Sequence, residues 1–323
     1  MTTMIEVENL SKVYGETQAI KDVSFSVPKG SILGFLGPNG AGKTTTMRIL
    51  TGYIPANEGT AKIDGFEVHD QPMAVRERIG YLPETPPLYP DMTVSEFLHF
   101  VCKIKGISAG DRSQKVAQAL HYCQIEDKSK TIIRKLSKGY RQRVGIAQAI
   151  VHEPPVIILD EPTVGLDPRQ IIEVRNLIKS LAGERTIILS THILPEVSMT
   201  CDRVIIINQG SIVATGNPQD LLNDLKDSQG YELEIAGDTT PLDGILTSIT
   251  GVNKVVIEPN KDEQKSDRFM LNISIDSNLD IGNLIASTLV NNNIDIFEMK
   301  RSKASLEEVF LQLTIDNDSQ VNE

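Results

Sequence analysis

No stretch of this chain stays apolar for the roughly 20 residues that a membrane-spanning helix needs, so the sequence predicts a soluble protein. Glu6 and Glu8 precede any long apolar segment, which argues against a secretion signal. Cysteine is scarce: Cys102, Cys123 and Cys201 are odd in number, widely spaced and in no metal pattern, as reduced cytosolic thiols would be. The five histidines have no paired spacing, so no protein-built transition-metal site is expected. Positive charge is in deficit, with 32 Lys and Arg against 43 Asp and Glu for a formal net charge of −11, which argues against nucleic acid as the main partner. What remains is 323 residues, 40% of them hydrophobic, enough for one large α/β domain and a small one.

The strongest positive signal is Gly37-Pro38-Asn39-Gly40-Ala41-Gly42-Lys43-Thr44, which fits the phosphate-loop pattern G-x-x-x-x-G-K-[ST] at every fixed position. The apolar run Ile32 to Leu36 reads as a buried strand and Lys43 to Leu50 as a helix, so the loop joins the two as the motif requires. A phosphate there meets a helix N-terminus, whose N–H groups lack intrahelical partners and whose dipole favours negative charge. Lys43 is expected to reach the β- and γ-phosphates and Thr44 to ligate Mg²⁺, with Thr45 beside it at the phosphates. The loop alone leaves a GTPase, a kinase, a RecA-like motor and a transporter ATPase open.

Val156-Ile157-Ile158-Leu159-Asp160-Glu161 narrows the choice. Four apolar residues read as a strand buried on both faces, closed by two acids. A charged pair at the end of a buried strand is costly unless a cation or partner satisfies it. Asp160 is therefore expected in the Mg²⁺ shell, and Glu161, pointing differently, as the group that orients and deprotonates a water attacking the γ-phosphate.

Five further segments stand in a fixed order around these: Lys12-Val13-Tyr14-Gly15, Gly80-Tyr81-Leu82-Pro83-Glu84, Leu136-Ser137-Lys138-Gly139-Tyr140-Arg141-Gln142, Gly165-Leu166-Asp167 and Leu189-Ser190-Thr191-His192. With them, most of residues 4 to 222 resembles the ATP-binding cassette (ABC) transporter ATPases. The resemblance implies that Tyr14 stacks on adenine, and that Ser137 and the Gly139 amide bind the γ-phosphate held by a second subunit. It also implies that Asp167 lies in a loop crossing the dimer interface and that His192 senses the γ-phosphate. Two segments depart from the commonest family pattern. Glu84 stands where a Gln usually touches the Mg²⁺ and its water, and Lys138 replaces the first glycine of Leu-Ser-Gly-Gly-Gln, with Tyr140 in place of its glutamine. These departures resemble the type-two exporters of drugs, glycans and lipids, as does the C-terminal segment Ser305-Leu306-Glu307-Glu308-Val309-Phe310-Leu311.

The implied fold class is α/β: a P-loop NTPase core with antiparallel β and helical subdomains, plus a small C-terminal α+β domain. Residues 1–225 form the ATP-binding domain, its helical subdomain at about 91–151. There Thr93 and Glu96 form a capping-box pattern, and Val116, Ala119, Leu120 and Cys123 repeat at helical spacing. Strands are expected at Ile5–Val7, Val23–Val27, Thr60–Ile63, Thr186–Ser190 and Arg203–Asn208, with a helix from Ile171 to Leu181 and a last core helix opened by Asn217-Pro218. Residues 231–314 alternate as βαββαβ with a terminal helix from Ser305, a ferredoxin-like accessory module, and 315–323 read as a disordered tail.

The function expected is that of an ABC transporter subunit hydrolysing MgATP at a head-to-tail dimer interface and driving export through separate transmembrane permease subunits. That places it at the cytoplasmic face of the cell membrane, as a homodimer or with a paralogous ATPase. A soluble ABC ATPase acting on ribosomes or DNA is the competing reading; such chains usually carry two cassettes or coiled-coil insertions, and a basic surface.

Overall fold

Apolar and polar residues alternate along β1 (Thr3–Tyr14) and β2 (Thr17–Pro28), giving each strand one face to bury, and the two pair antiparallel with Ile5 opposite Val27 and Val7 opposite Phe25. β3 (Ile32–Leu36) is buried at every position and leads into α1 (Lys43–Leu50). β4 (Glu58–Ile63) and β5 (Phe66–Glu67) complete a four-stranded sheet in the order β2-β1-β4-β5. The structure is a computed structural model, and it describes residues 2–223, 230–260, 268–276 and 279–302.

After α2 (Pro72–Arg78) and β6 (Ile79–Leu82) the chain turns helical, with α3 (Val94–Ile104), α4 (Arg112–Tyr122) and α5 (Lys138–Ile150). The capping box read from the sequence is formed: Thr93 Oγ1 accepts from the Glu96 N–H, and Glu96 Oε2 accepts from the Thr93 N–H at 2.8 Å. Val116, Ala119, Leu120 and Cys123 are all buried.

The chain then builds β7 (Val156–Asp160), α6 (Pro168–Leu181), β8 (Thr186–Thr191), α7 (Leu194–Thr200), β9 (Arg203–Asn208) and β10 (Ser211–Gly216). The second sheet runs β10-β9-β3-β8-β7-β6, parallel except for β10, which lies antiparallel at the edge. Leu36 aligns with Thr191 and Asp160 with Ser190, so the chain leaves three neighbouring strands at one level. The loops after β3, β7 and β8 therefore meet at the carboxyl edge, where open α/β sheets bind ligands. α6 begins at Pro168 rather than Ile171, because Asp167 caps it by accepting from the Arg169 and Gln170 N–H groups at 3.0 Å. The elements α2, α7 and β10 are too short for periodicity to separate.

By contact density the chain divides into Met1–Pro218 and Gln219–Glu323, and α8 (Pro218–Asn223) opens with its proline in the first helical position. The second unit holds β11 (Gly230–Ala236), α9 (Leu242–Thr247), β12 (Val252–Pro259), β13 (Phe269–Ile275), α10 (Gly282–Asn291) and β14 (Asp295–Ser302). Its strands form an antiparallel sheet in the order β12-β13-β11-β14, whose core includes Leu233, Ile235, Leu271 and Ile273 with Leu242, Leu246, Ile285 and Leu289 from the two helices. This is the βαββαβ order of a ferredoxin-like unit. The terminal helix expected from Ser305 and the tail at 315–323 lie outside the described residues. Among the described residues no helix is long and apolar enough to cross a membrane.

Candidate functional site

The phosphate loop tolerates only glycine at two of its bends. Gly42 has φ +107, and a Cβ there would stand 2.7 Å from the Ala19 carbonyl oxygen; a Cβ on Gly37 would stand 2.5 Å from that of Ile207. The close approach folds the loop over the start of α1, where Lys43 is buried. Its Nζ donates to the carbonyls of Gly37 at 2.8 Å and Pro38 at 3.1 Å, and lies 3.2 Å from Glu161 Oε1. That last contact is an ion pair between two side chains that are each less than a tenth exposed, and Oε1 accepts no hydrogen bond among the described residues.

Asp160, fully buried, accepts at Oδ1 from Thr44 Oγ1 at 3.3 Å and, in a short contact, from Ser190 Oγ. Burial raises its carboxyl above the usual carboxylate range; the Ser190 and Thr44 hydrogen bonds oppose the rise, and the charges of Glu161 and Glu84 add to it. Its Oδ2 is buried with no hydrogen-bond partner among the described residues. An anionic oxygen left unpaired beside a threonine hydroxyl at a phosphate loop fits a hard cation with oxygen ligands.

One residue on, Glu161 has φ +49, the left-handed region that a glutamate enters only when its surroundings require it. Its N–H is held by both the carbonyl and the hydroxyl of Ser190, each at 3.1 Å. The turn sends the two adjacent carboxylates apart, Asp160 toward Thr44 and Glu161 toward Lys43 and His192. His192 Nδ1 lies 2.9 Å from Glu161 Oε2. The carboxylate accepts, so Nδ1 carries the hydrogen and Nε2 is the nitrogen left for a ligand.

A cleft of about 370 Å³ opens on these groups, lined by Ala19, Asn39, Gly40, Gly42, Lys43, Thr44, Thr45, Glu84, Glu161, Val164 and His192. Of the remaining loop residues, Gly37 and Pro38 hold the lysine, and Ala41 is buried behind it. Asp160 is buried behind Thr44 and does not line it, and four further expected site residues lie elsewhere. Tyr14 is half exposed with the Lys12 ammonium 5.4 Å from its ring centre. Ser137 is exposed and caps α5, Gly139 packs against the Gln170 side chain, and Asp167 caps α6. Ser190, which anchors both acids, was given no role from the sequence; only the pairing of β7 with β8 brings it to them.

Residues 20–164 match the family model described as ABC transporter. Over 96% of this chain and 98% of its own length, the linearmycin resistance ATP-binding protein LnrL of Bacillus subtilis is 31% identical. The bacitracin transport ATP-binding protein BcrA of Bacillus licheniformis is 40% identical over 66% of this chain and 69% of its own. The dimeric post-hydrolysis structure of the ATP-binding cassette MJ0796 with ADP and Pi superposes with a TM-score of 0.61 and 27% identity, covering 66% of this chain and 98% of that one. On the strength of its phosphate loop, its paired acids and these relatives, the chain belongs to the ABC transporter family as an ATP-binding, ATP-hydrolysing subunit.

Proposed function

We propose that this protein is the ATPase of an exporter, hydrolysing MgATP between two copies of itself facing head to tail. The observation that carries the reading is the division of the site: one chain gathers Lys43, Thr44, Glu161 and His192 in its cleft, with Asp160 buried behind Thr44, while Ser137, Gly139, Asp167 and Tyr14 lie outside it. A second copy supplies the missing Ser137 and Gly139 at the N-terminus of its α5, with its Asp167 loop crossing the interface. Export is supported by relatives named for resistance and for export, such as the Nod factor export ATP-binding protein I of Ralstonia nicotianae, 37% identical over 68% of this chain and 69% of its own.

Thr44 and Asp160, with Glu84 nearby, would hold the Mg²⁺, which neutralises phosphate charge when bound. Among the described residues no three His, Cys, Asp or Glu side chains converge as a metal cage, so most ligands would come from the nucleotide and water. Lys43 turns its ammonium to the β- and γ-phosphates. Glu161 takes a proton from the attacking water, while His192 presents Nε2 to the γ-phosphate and orients Glu161 through Nδ1. Tyr14 stacks on the base.

The permease would dock in a groove of about 470 Å³ lined by Arg48, Tyr53, Arg76, Tyr81, Lys105 and His152 among others. That attachment would place the protein at the cytoplasmic face of the cell membrane. Residues 231–314 are an accessory domain in this reading. Affinity purification from detergent-solubilised membranes tests it: recovery of a polytopic membrane protein, lost on Tyr53→Asp, is the expected result. Recovery of ribosomes would favour the soluble alternative.

A further inference from the structure

Two of the residues at which this chain departs from the common family pattern, Glu84 and Lys138, line one cleft. It has a volume of about 410 Å³ and shares Glu84 and Val164 with the nucleotide cleft, so the two adjoin. Its other charged lining residues are Arg134 and Arg141. Arg134 Nη1 pairs with Asp91 Oδ1 at 2.8 Å, and Arg141 Nη1 donates to the Leu136 carbonyl at 2.5 Å. The Glu84 and Lys138 side chains make no hydrogen bond or ion pair with any described residue.

Lys138 is the first residue of α5, whose first turn contains no acid. A cation at a helix N-terminus opposes the helix dipole, so this lysine calls for an anion. Its ammonium lies against the Gly165 backbone: a Cβ built on Gly165, which has φ +67, would stand 2.1 Å from Lys138 Nζ. The lysine thus reaches the backbone of the loop after β7, next to Val164. Glu84 is the one acid among the residues lining this cleft. Where the family pattern has Gln and Gly, both neutral, this chain has one negative and one positive charge, and the sum is unchanged.

We propose that Lys138 is a positioning residue for ATP hydrolysis that acts through Glu84. As the cleft shuts, the ammonium takes the Glu84 carboxylate and ties the segment after β6 to the start of α5 and to the Gly165 loop. An exposed pair of this kind contributes little, whereas one that loses water on closure contributes more, so the tie works in the closed state. The proposal rests on the ATPase assignment and not on the permease.

A double-mutant cycle on the full chain tests it. Lys138→Met and Glu84→Gln should each lower kcat for ATP about 3- to 10-fold with little change in KM, and the double variant should be no slower than the slower single one. Lys138→Arg should retain activity. A double variant whose loss equals the product of the two single losses overturns the proposal, because it is what a lysine serving the partner's γ-phosphate would give; an unaffected Lys138→Met overturns it too. The second readout is structural. A Glu84→Cys, Lys138→Cys pair in a Glu161→Gln background should be bridged within one chain by a short bis-thiol reagent faster with ATP than without. The native Cys102, Cys123 and Cys201 are buried and do not compete. Equal bridging rates in the two conditions overturn the proposal.

Discussion

Lys43 and Glu161 form a buried ion pair, Nζ to Oε1 at 3.2 Å, and His192 extends it into a chain of three functional side chains. The group that meets phosphate and the group that takes a proton are thus neutralised by each other. Breaking such a pair leaves one charge buried and alone, which typically costs about 3–5 kcal/mol, so the site's variants differ in stability as well as in chemistry.

Glu161→Gln keeps a polar side chain of the same shape beside Lys43 and His192 and removes the proton acceptor. Turnover should fall roughly 10²–10⁴-fold while ATP still binds, and the ATP-bound dimer should persist in size-exclusion chromatography. Near-normal steady-state hydrolysis would refute the assignment.

Lys43→Ala and Ser137→Arg should fail in different ways. The first removes the phosphate contact and strands the Glu161 charge, so nucleotide affinity of the monomer and its denaturant midpoint should both drop. The second alters an exposed residue outside the cleft, so monomer affinity should survive and ATP-dependent dimerisation should vanish. Equal loss of monomer affinity in both would sink the head-to-tail arrangement.

His152 gives the fold a pH dependence of defined sign. Burial, aided by the Lys105 charge, lowers its pKa to about 4, while Nε2 lies 3.0 Å from the Ile79 carbonyl. A folded pKa below the unfolded value near 6.5 means that the stabilisation is complete above about pH 6.5 and is lost as pH falls toward 4. Between pH 7 and pH 4, urea unfolding should show about 2–3 kcal/mol of lost stability from this residue. In His152→Gln that share of the slope should disappear; an unchanged slope would show that other groups carry it.

Much of this protein is legible in its sequence, for local reasons. The phosphate loop has one workable fold because Gly42 occupies a left-handed bend and Lys43 must open a helix. The uninterrupted apolar runs of β3 and β7 mark strands buried on both faces, and Thr93 with Glu96 marks a helix start through contacts three residues apart. Each signal is set by neighbours in the chain. Glu84 and Lys138 are visible in the sequence only as separate oddities, because a separation of 54 positions along the chain hides that they line one cleft.

The placement of charge was decided by tertiary structure. The partner of Asp160 and Glu161 at Ser190 depends on β7 and β8 lying side by side, a pairing of segments about 30 residues apart that no local pattern specifies. The left-handed turn at Glu161 is intrinsically disfavoured for that residue and exists because Ser190 holds its N–H from two sides. Propensity favours no such turn, since the force that imposes it comes from another strand. For the same reason Tyr14 does not line the cleft of a single chain, and Ser137 and Asp167, which the family resemblance assigns to the interface with a second subunit, lie outside it as well. Order along a chain records which groups a function needs, whereas distance in the folded chain decides which of them one molecule can bring together.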